Sequence, residues 1–208
     1  MSLIGHTIRL ALEAGCFDRV IVSTDDQAIS EIARQFGAEA PWLGPAALAT
    51  DEAPVIDAVL HALERLERDD RYVPDGVAFL QPTSPLPIRR GVELFRGHGG
   101  ASGVAVSRAR SHPLWCTRID VNGQLRPLVP GVDIPEARQE LPPAYCVNGS
   151  LYVVSREVLL QERAFGISWA YALVVDEEEG LDIDTPSDWG TVQWLWRARE
   201  GGRGSHPR

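Results

Sequence analysis

Two aspartates near the C-terminus have the type and spacing of a metal site. The segment LDIDTP at 181–186 places Asp182 and Asp184 two residues apart, and in an extended backbone both carboxylates then face the same side. Oxygen ligands of this kind suit Mg²⁺, especially when substrate phosphates complete its coordination. We therefore predict that both residues are catalytic and metal-binding, with the ion neutralising charge on a phosphate. The alternative is that they only cap and solvate the start of the following helix.

A second group of polar side chains follows a strand-like run. GVAFL at 76–80 predicts a buried strand, and QPTSP at 81–85 cannot continue a sheet because its prolines lack N–H donors. Open α/β sheets bind ligands at the carboxyl ends of their strands. Gln81 is therefore a candidate binding residue, and the alternative is that the loop is a rigid structural turn.

A third candidate group is Arg138 with Asn148 and Tyr152. A guanidinium group binds a carboxylate through two parallel hydrogen bonds, so Arg138 could hold an acidic substrate. The alternative is a surface arginine that pairs with Glu136 or Glu140.

The composition narrows the class of protein. The 208 residues are 44% hydrophobic and 24% charged, which is typical of one globular domain. No apolar run approaches the roughly 18 residues of a membrane span, and three widely spaced cysteines predict free thiols in a cytoplasmic protein. The net charge of −9 argues against a nucleic-acid-binding protein. Every basic residue is an arginine, so lysine can make no phosphate contact.

The order of the elements predicts an α/β fold with a mostly parallel sheet. Apolar periodicity and cap residues predict five helices. They cover 3–14, 52–68 and 156–163, a stretch that starts at the cap candidates 23–26 and ends near 37, and the residues from Thr185-Pro186 onward. In the last helix Thr185 suits the N-cap and Asp188 completes a capping box. Short β-branched runs predict strands over 19–23, 76–80, 149–155 and 171–176.

We assign residues 1–200 to a single domain and 201–208 to a disordered tail. Within the domain, residues 109–147 are an antiparallel excursion from the sheet. The signal is Asn122-Gly123 between two extended segments, because this dipeptide tolerates the positive φ angles of hairpin turns.

Five segments, taken in order, resemble those of the acylneuraminate cytidylyltransferase family, the CMP-sialic acid synthetases and their relatives for other nonulosonic acids. They are FDRVIVSTDD at 17–26, GPAALATDEA at 44–53, LQPTSPL at 80–86, ARQELPPAYCVNGSLYV at 137–153 and LDIDTPSDW at 181–189. Together they cover nearly the whole chain.

The resemblance implies a Rossmann-like nucleotidyltransferase fold of the nucleotide-diphospho-sugar transferase type. It implies a reaction of CTP with an acidic nine-carbon sugar to give the CMP-sugar and pyrophosphate, with Mg²⁺ as cofactor. It also implies a homodimer in which residues 109–147 reach into the neighbouring subunit, and neither nucleic acid nor membrane as a partner. The family's metal ligands fall on Asp182 and Asp184, and its substrate-binding residues on Gln81, Arg138, Asn148 and Tyr152.

The sequence departs from the family on the nucleotide side. Family members open with a strand and a loop resembling ARGGSKG, which hold the CTP phosphates and base, whereas this sequence begins with the segment that follows. Arginines of the family are replaced by Gly44 and Pro87. We therefore expect that the first strand of the fold is absent and that Met1 is an internal methionine of a longer protein.

Two alternatives to the activation of a sialic-acid-type sugar remain open. One is a catalytically inactive paralogue that binds a sugar or dimerises, which the missing loop favours and the two aspartates disfavour. The other is a cytidylyltransferase for another acidic sugar of surface polysaccharide synthesis. The motifs do not choose among sialic, legionaminic and pseudaminic acids, because the side groups that differ lie far from them.

Overall fold

The structure is a computed structural model that describes residues 2–82, 88–131, 141–176, 180–183 and 185–202. The helices in these ranges are α1 (Leu3–Ala14), α2 (Gln27–Gln35), α3 (Val55–Asp70), α4 (Ile88–Gly97), α5 (Arg156–Glu162) and α6 (Pro186–Gly202). The strands are β1 (Gly76–Leu80), β2 (Ser102–Arg108), β3 (Thr117–Ile119), β4 (Leu125–Pro127), β5 (Tyr145–Ser155) and β6 (Tyr171–Val175).

Most of the predicted helices are confirmed, and their caps explain why. Ser2 and Gly15 cap the two ends of α1, and the Asp26 side chain accepts hydrogen bonds at the start of α2. Helix α4 was not predicted, because its interior glycine lowers helix propensity. Helix α6 extends two residues into the predicted tail at 201–208, whose remainder lies outside the described residues.

The sheet is mixed, with β1, β2 and β6 running in one direction and β5 against them, so the prediction of a mostly parallel sheet is confirmed only in part. In the described residues its strand order is β1-β5-β2-β6, with β5 antiparallel to both β1 and β2, and with β2 parallel to β6. The connection before β5 is the reason. The chain leaves the end of β2, forms the β3–β4 hairpin and returns at the same end of the sheet. The described residues between β2 and β5 contain no α-helix, the element that usually connects two parallel strands.

The predicted buried strand at 19–23 is only an isolated bridge. Ile21 pairs with Glu39 in parallel orientation. The Val22 N–H donates to the Glu39 carbonyl, and the Glu39 N–H donates to the Val20 carbonyl, both at 2.8 Å. The segment is half-buried, because among the described residues only Glu39 forms strand-type backbone hydrogen bonds with it, along one edge. Strand β1 likewise lies at an edge of the described sheet and is half-buried.

Helices cover both faces of the sheet. On one face α1 and α4 pack around Ala11, Ile88, Val92, Ala105, Leu151, Val153, Leu173 and Val175. On the other face α3 and α5 pack around Val59, Leu63, Val154 and Leu159. A third cluster of Ile8, Ala33, Ala38 and Ala40 joins α1 to α2. Within the part of the chain that is described, none of the helices has both the length and the apolar composition needed to cross a bilayer.

The predicted hairpin is confirmed, but its turn uses positive φ at one position. β3 and β4 pair antiparallel, and Gly123 has φ of 79° whereas Asn122 does not enter the left-handed region. The Asp120 N–H donates to the Gln124 carbonyl at 2.9 Å, which closes a three-residue loop with its last residue left-handed. The Asp120 carboxylate accepts the N–H groups of Gln124 and Asn122, and these bonds lower its pKa.

Helix α4 lies so close to the sheet that Gly91 has no room for a side chain. A Cβ atom at this position would overlap Cδ2 of the buried Leu151 and would lie 3.1 Å from Cδ2 of Leu173. The absence of a side chain therefore sets the distance between α4 and β5.

We predict that Gly91→Ala destabilises the protein by about 1–3 kcal/mol, the usual effect of overpacking a core. This outweighs the gain of about 0.5–1 kcal/mol from removing a glycine from a helix. Gly97→Ala at the end of the same helix is the control, because nothing lies within 4 Å of its Cβ position. Urea unfolding followed by circular dichroism measures both variants, and equal stability of the two would contradict the prediction.

Candidate functional site

Three of the four predicted site residues that the structure describes lie at one end of the sheet. Gln81 follows the last residue of β1, Asn148 lies near the start of the antiparallel β5, and Asp182 follows β6. Tyr152 lies further along β5, opposite Phe79 of β1. At this end β1, β2 and β6 all finish, and open α/β sheets bind ligands at the carboxyl ends of their strands.

Gln81 contacts the start of β5 through Gly149. Gly149 has φ of +77°, and a Cβ atom there would lie 2.5 Å from Oε1 of Gln81. Any other residue would therefore strain the backbone and displace the glutamine. The glycine of the Asn-Gly pair is what lets the β5 backbone approach Gln81.

Asn148 has a fixed amide orientation. Its Oδ1 accepts a hydrogen bond from the Ser150 backbone N–H at 3.2 Å and a second from the Ser150 hydroxyl. Because a backbone N–H can only donate, the atom facing it must be the oxygen. The Nδ2 group of Asn148 is buried and has no hydrogen-bond partner among the described residues. Asn148 is therefore a candidate donor for a ligand.

Gly180 lies against the same amide. A Cβ atom on Gly180 would lie 2.6 Å from Nδ2 of Asn148 and 3.2 Å from Oγ of Ser107. Gly180 thus lies directly over the end of β2 and the start of β5. This contact brings Asp182 to the same end of the sheet as Gln81.

Asp182 interacts electrostatically with Tyr152. The pKa of the Tyr152 phenol is raised, first by burial and then by the negative charge of Asp182. Oδ1 of Asp182 accepts a hydrogen bond from the Ile183 N–H at 3.0 Å, which orients the half-buried carboxylate.

The predicted capping box of α6 is confirmed. The Thr185 N–H and hydroxyl both donate to Oδ2 of Asp188, at 2.8 and 2.7 Å, and the Asp188 N–H donates to Oγ1 of Thr185 at 3.3 Å. Such a box satisfies two otherwise unpaired N–H groups of a helix start. It fixes where the helix begins and so where the preceding aspartate segment ends.

Two of the predicted site residues, Asp184 and Arg138, lie outside the described residues. The same holds for Thr83 and Ser84 of the loop after Gln81. Among the residues that are described, no group of three or more His, Cys, Asp or Glu side chains has the arrangement of a metal site. The pairing of Asp182 with Asp184 thus stays a prediction.

Sequence reasoning missed Ser107, Ser150 and Gly180. Asn-Gly-Ser does carry a local signal for Ser150, because an asparagine often accepts a hydrogen bond from the N–H two residues on. Ser107 and Gly180 carry no such signal. Gly180 lies against both Asn148 and Ser107, and these tertiary contacts follow only from the packing of Gly180 on β2 and β5.

The sequence matches known cytidylyltransferases. The family described as cytidylyltransferase matches residues 1–86. The chain is 36% identical to the CMP-N,N'-diacetyllegionaminic acid synthase of Legionella pneumophila, over 93% of this chain and 84% of that protein. It is 33% identical to an N-acylneuraminate cytidylyltransferase of Streptococcus agalactiae, over 89% of this chain. Here the chain spans 45% of the longer relative.

The fold matches a solved nucleotidyltransferase. The similar structure is CMP:2-keto-3-deoxy-manno-octonic acid synthetase complexed with CTP, with a TM-score of 0.66 over 95% of this chain and 88% of that one. At 16% sequence identity the likeness concerns the fold alone. The mixed sheet with its small antiparallel hairpin is therefore an α/β nucleotidyltransferase fold.

We predict that Gly149→Ala destabilises the protein more than Gly99→Ala does. Both glycines have positive φ, but nothing lies within 4 Å of the Cβ position of Gly99. Each variant should lose about 1–2 kcal/mol from the left-handed backbone, and Gly149→Ala should lose more because Gln81 must move. Urea unfolding of both variants measures the difference. Equal losses would show that Gln81 is not held against Gly149.

Proposed function

Because the chain belongs to the cytidylyltransferase family and is a nucleotidyltransferase of the acylneuraminate type, we propose that it activates a sialic-acid-type nonulosonic acid with CTP. The anomeric hydroxyl of the sugar attacks the α-phosphorus, and the bond from this phosphorus to the pyrophosphate oxygen breaks. The products are the CMP-sugar, pyrophosphate and a proton. The observation that carries the proposal is the buried Nδ2 group of Asn148, which has no hydrogen-bond partner in the part of the chain that is described.

The sugar supplies the acceptors that this amide lacks. A nonulosonic acid carries hydroxyl, carboxylate and acyl carbonyl oxygens, and each of them can accept a hydrogen bond from an N–H group. A buried donor without a partner costs about 1–3 kcal/mol, so a bound sugar oxygen would remove that cost. Gln81, in contact with Gly149 next to Asn148, offers a second amide to the same ligand.

The carboxylate of the sugar needs a positive partner. We assign this function to Arg138, whose guanidinium can bind a carboxylate through two hydrogen bonds. Tyr152 contributes a phenol that stays protonated, because burial and the charge of Asp182 raise its pKa. A protonated phenol can donate a hydrogen bond to the ligand.

Asp182 and Asp184 would hold Mg²⁺. The donor chemistry fits, since Mg²⁺ is bound by one or two carboxylates together with phosphate oxygens of the substrate, and Asp182 is oriented by the Ile183 N–H. The ion would supply positive charge to the phosphates of CTP. The protein's part is to orient the sugar hydroxyl toward phosphorus, which lowers the entropic cost of the reaction.

We predict Mg²⁺-dependent release of pyrophosphate from CTP with at least one of sialic, legionaminic and pseudaminic acids. Asp182→Asn should lower kcat/KM about 100-fold or more, because it removes charge that stabilises the transition state. Asp75→Asn is the matched control, because Asp75 is exposed just before the amino end of β1, opposite to the site. The test measures coupled pyrophosphate release by the folded wild type and both variants.

An inactive paralogue is the second candidate, and the absence of lysine from the sequence favours it. Its signature would be binding of a nonulosonic acid, measured by calorimetry, without pyrophosphate release. A folded wild type that neither binds such an acid nor releases pyrophosphate would contradict both candidates. Activity with an acidic sugar outside the panel would assign the enzyme to another polysaccharide precursor.

We further propose that the protein acts as a homodimer through the β3–β4 hairpin. Val121 and Ile119 have relative exposures of 101% and 73%, and Leu125 and Leu128 are also exposed. Apart from each other, β3 and β4 make no extensive contact with another described helix or strand. An apolar hairpin of this kind is stabilised by burial against a partner, and a second copy of the chain is the partner that the family resemblance indicates.

We predict that the wild type sediments as a dimer and that the double substitution Ile119→Glu and Leu125→Glu gives a monomer. Burying a charge without a partner is costly, so the two glutamates should prevent association. Val73→Glu is the control, because Val73 is exposed elsewhere on the surface. Analytical ultracentrifugation distinguishes the species, and a monomeric wild type would refute the dimer.

A further inference from the structure

Thr7 of α1 donates a hydrogen bond to the loop that carries Gln81. Its Oγ1 lies 3.1 Å from the Pro82 carbonyl oxygen and 3.4 Å from the Leu3 carbonyl oxygen. A hydroxyl has one proton to donate. A helical threonine ordinarily donates it to the carbonyl one turn earlier, which here is that of Leu3. The Pro82 carbonyl is the nearer acceptor, so the proton goes to it.

This bond is the anchor of residue 82. Proline has no N–H, so its carbonyl is the one backbone group that can form a hydrogen bond. Among the described residues, the Pro82 carbonyl accepts its hydrogen bond from the Thr7 hydroxyl alone. The last pair between β1 and β5 is Leu80 with Leu151. Gln81 therefore lies between the end of the strand ladder and the point held by Thr7.

Helix α1, which carries Thr7, is capped at both ends and packed against the core. Ser2 caps its start and Gly15, in the left-handed conformation, ends it. Ile8 and Ala11 of the same helix are buried in two separate apolar clusters. Thr7 itself has a relative exposure of 8%. Its hydroxyl thus has a fixed place from which to hold the loop.

We propose that Thr7 is a positioning residue for Gln81, acting through the Pro82 carbonyl. The part of this inference that concerns sugar binding rests on the proposed function. The Thr7 bond fixes the backbone on the carboxyl side of Gln81, while Gly149 allows the side chain to lie against β5. Together they set where the glutamine amide meets a ligand. Thr7 does not touch the reacting atoms.

The test compares Thr7→Val, which keeps the shape and removes the hydroxyl, with Thr7→Ser, which keeps the hydroxyl. The first readout is the side-chain amide resonance of Gln81 in nitrogen-15 spectra, identified by its loss in Gln81→Glu. The second is the Kd for a nonulosonic acid, measured by calorimetry. We expect Thr7→Val to shift the resonance and to weaken sugar binding roughly 10-fold, because misplaced groups lose orientation. Thr7→Ser should restore both.

Ser102→Ala is the matched control. The buried Ser102 hydroxyl donates a hydrogen bond at 2.7 Å to the carbonyl of Phe165, a residue distant in the sequence. It is thus the same kind of bond, but it lies at the start of β2, away from Gln81. This variant should lower the melting temperature as Thr7→Val does, and leave the Gln81 resonance unchanged.

The outcomes separate the inference from the proposed function. A Gln81 resonance that does not move in Thr7→Val overturns the inference, whatever the sugar binding. The same holds if Ser102→Ala moves the resonance as much as Thr7→Val, because the effect would then be a general loss of stability. If the wild type binds no nonulosonic acid but Thr7→Val still moves the resonance and Thr7→Ser restores it, the proposed function fails and the positioning of Gln81 stands.

Discussion

The place of β5 between β1 and β2 is the constraint on which the site depends. Leu151 of β5 pairs with Leu80 of β1 and packs into the core on the α1 and α4 face, while Val154 packs on the α3 and α5 face. A slip of one residue would move both side chains to the wrong faces. The two cores therefore fix the register, and the register places Gly149 beside Gln81 just beyond the last pair.

Two glycines make this end of the sheet compact enough to bring separate segments together. Gly149 lets β5 approach Gln81, and Gly180 lies directly against the amide of Asn148. A methyl group at either position would separate the amides from each other or from Asp182. The close approach of the backbones thus places the polar side chains. The orientation of the Asn148 amide then needs only the two hydrogen bonds from Ser150.

Local signals in the sequence predict the elements well and their assembly poorly. Thr185 and Asp188 form the predicted capping box because its bonds span only three residues. The direction of β5 was not predictable, since apolar strands buried on both faces read alike in parallel and antiparallel sheets. The segment at 19–23 was predicted as a buried strand but forms only an isolated bridge, because the burial of a strand depends on its neighbours as well as on its own residues. The contact of Gln81 with Gly149, next to Asn148, was not predicted, because in a mostly parallel sheet residue 148 would lie at the amino end of its strand.

Charge neutralisation in this acidic chain is local. Five arginines are paired with carboxylates of α3: Arg19 with Asp70, Arg65 and Arg68 with Asp69, Arg156 with Glu67 and Arg163 with Asp57. Exposed pairs of this kind contribute about 0–1 kcal/mol each, and their charges are screened beyond about 8 Å at physiological salt. In the proposed reaction we assign the positive charge at the phosphates and the sugar carboxylate to Mg²⁺ and Arg138, while neutral amides bind the remaining oxygens. A net charge of −9 is compatible with an acidic substrate for that reason.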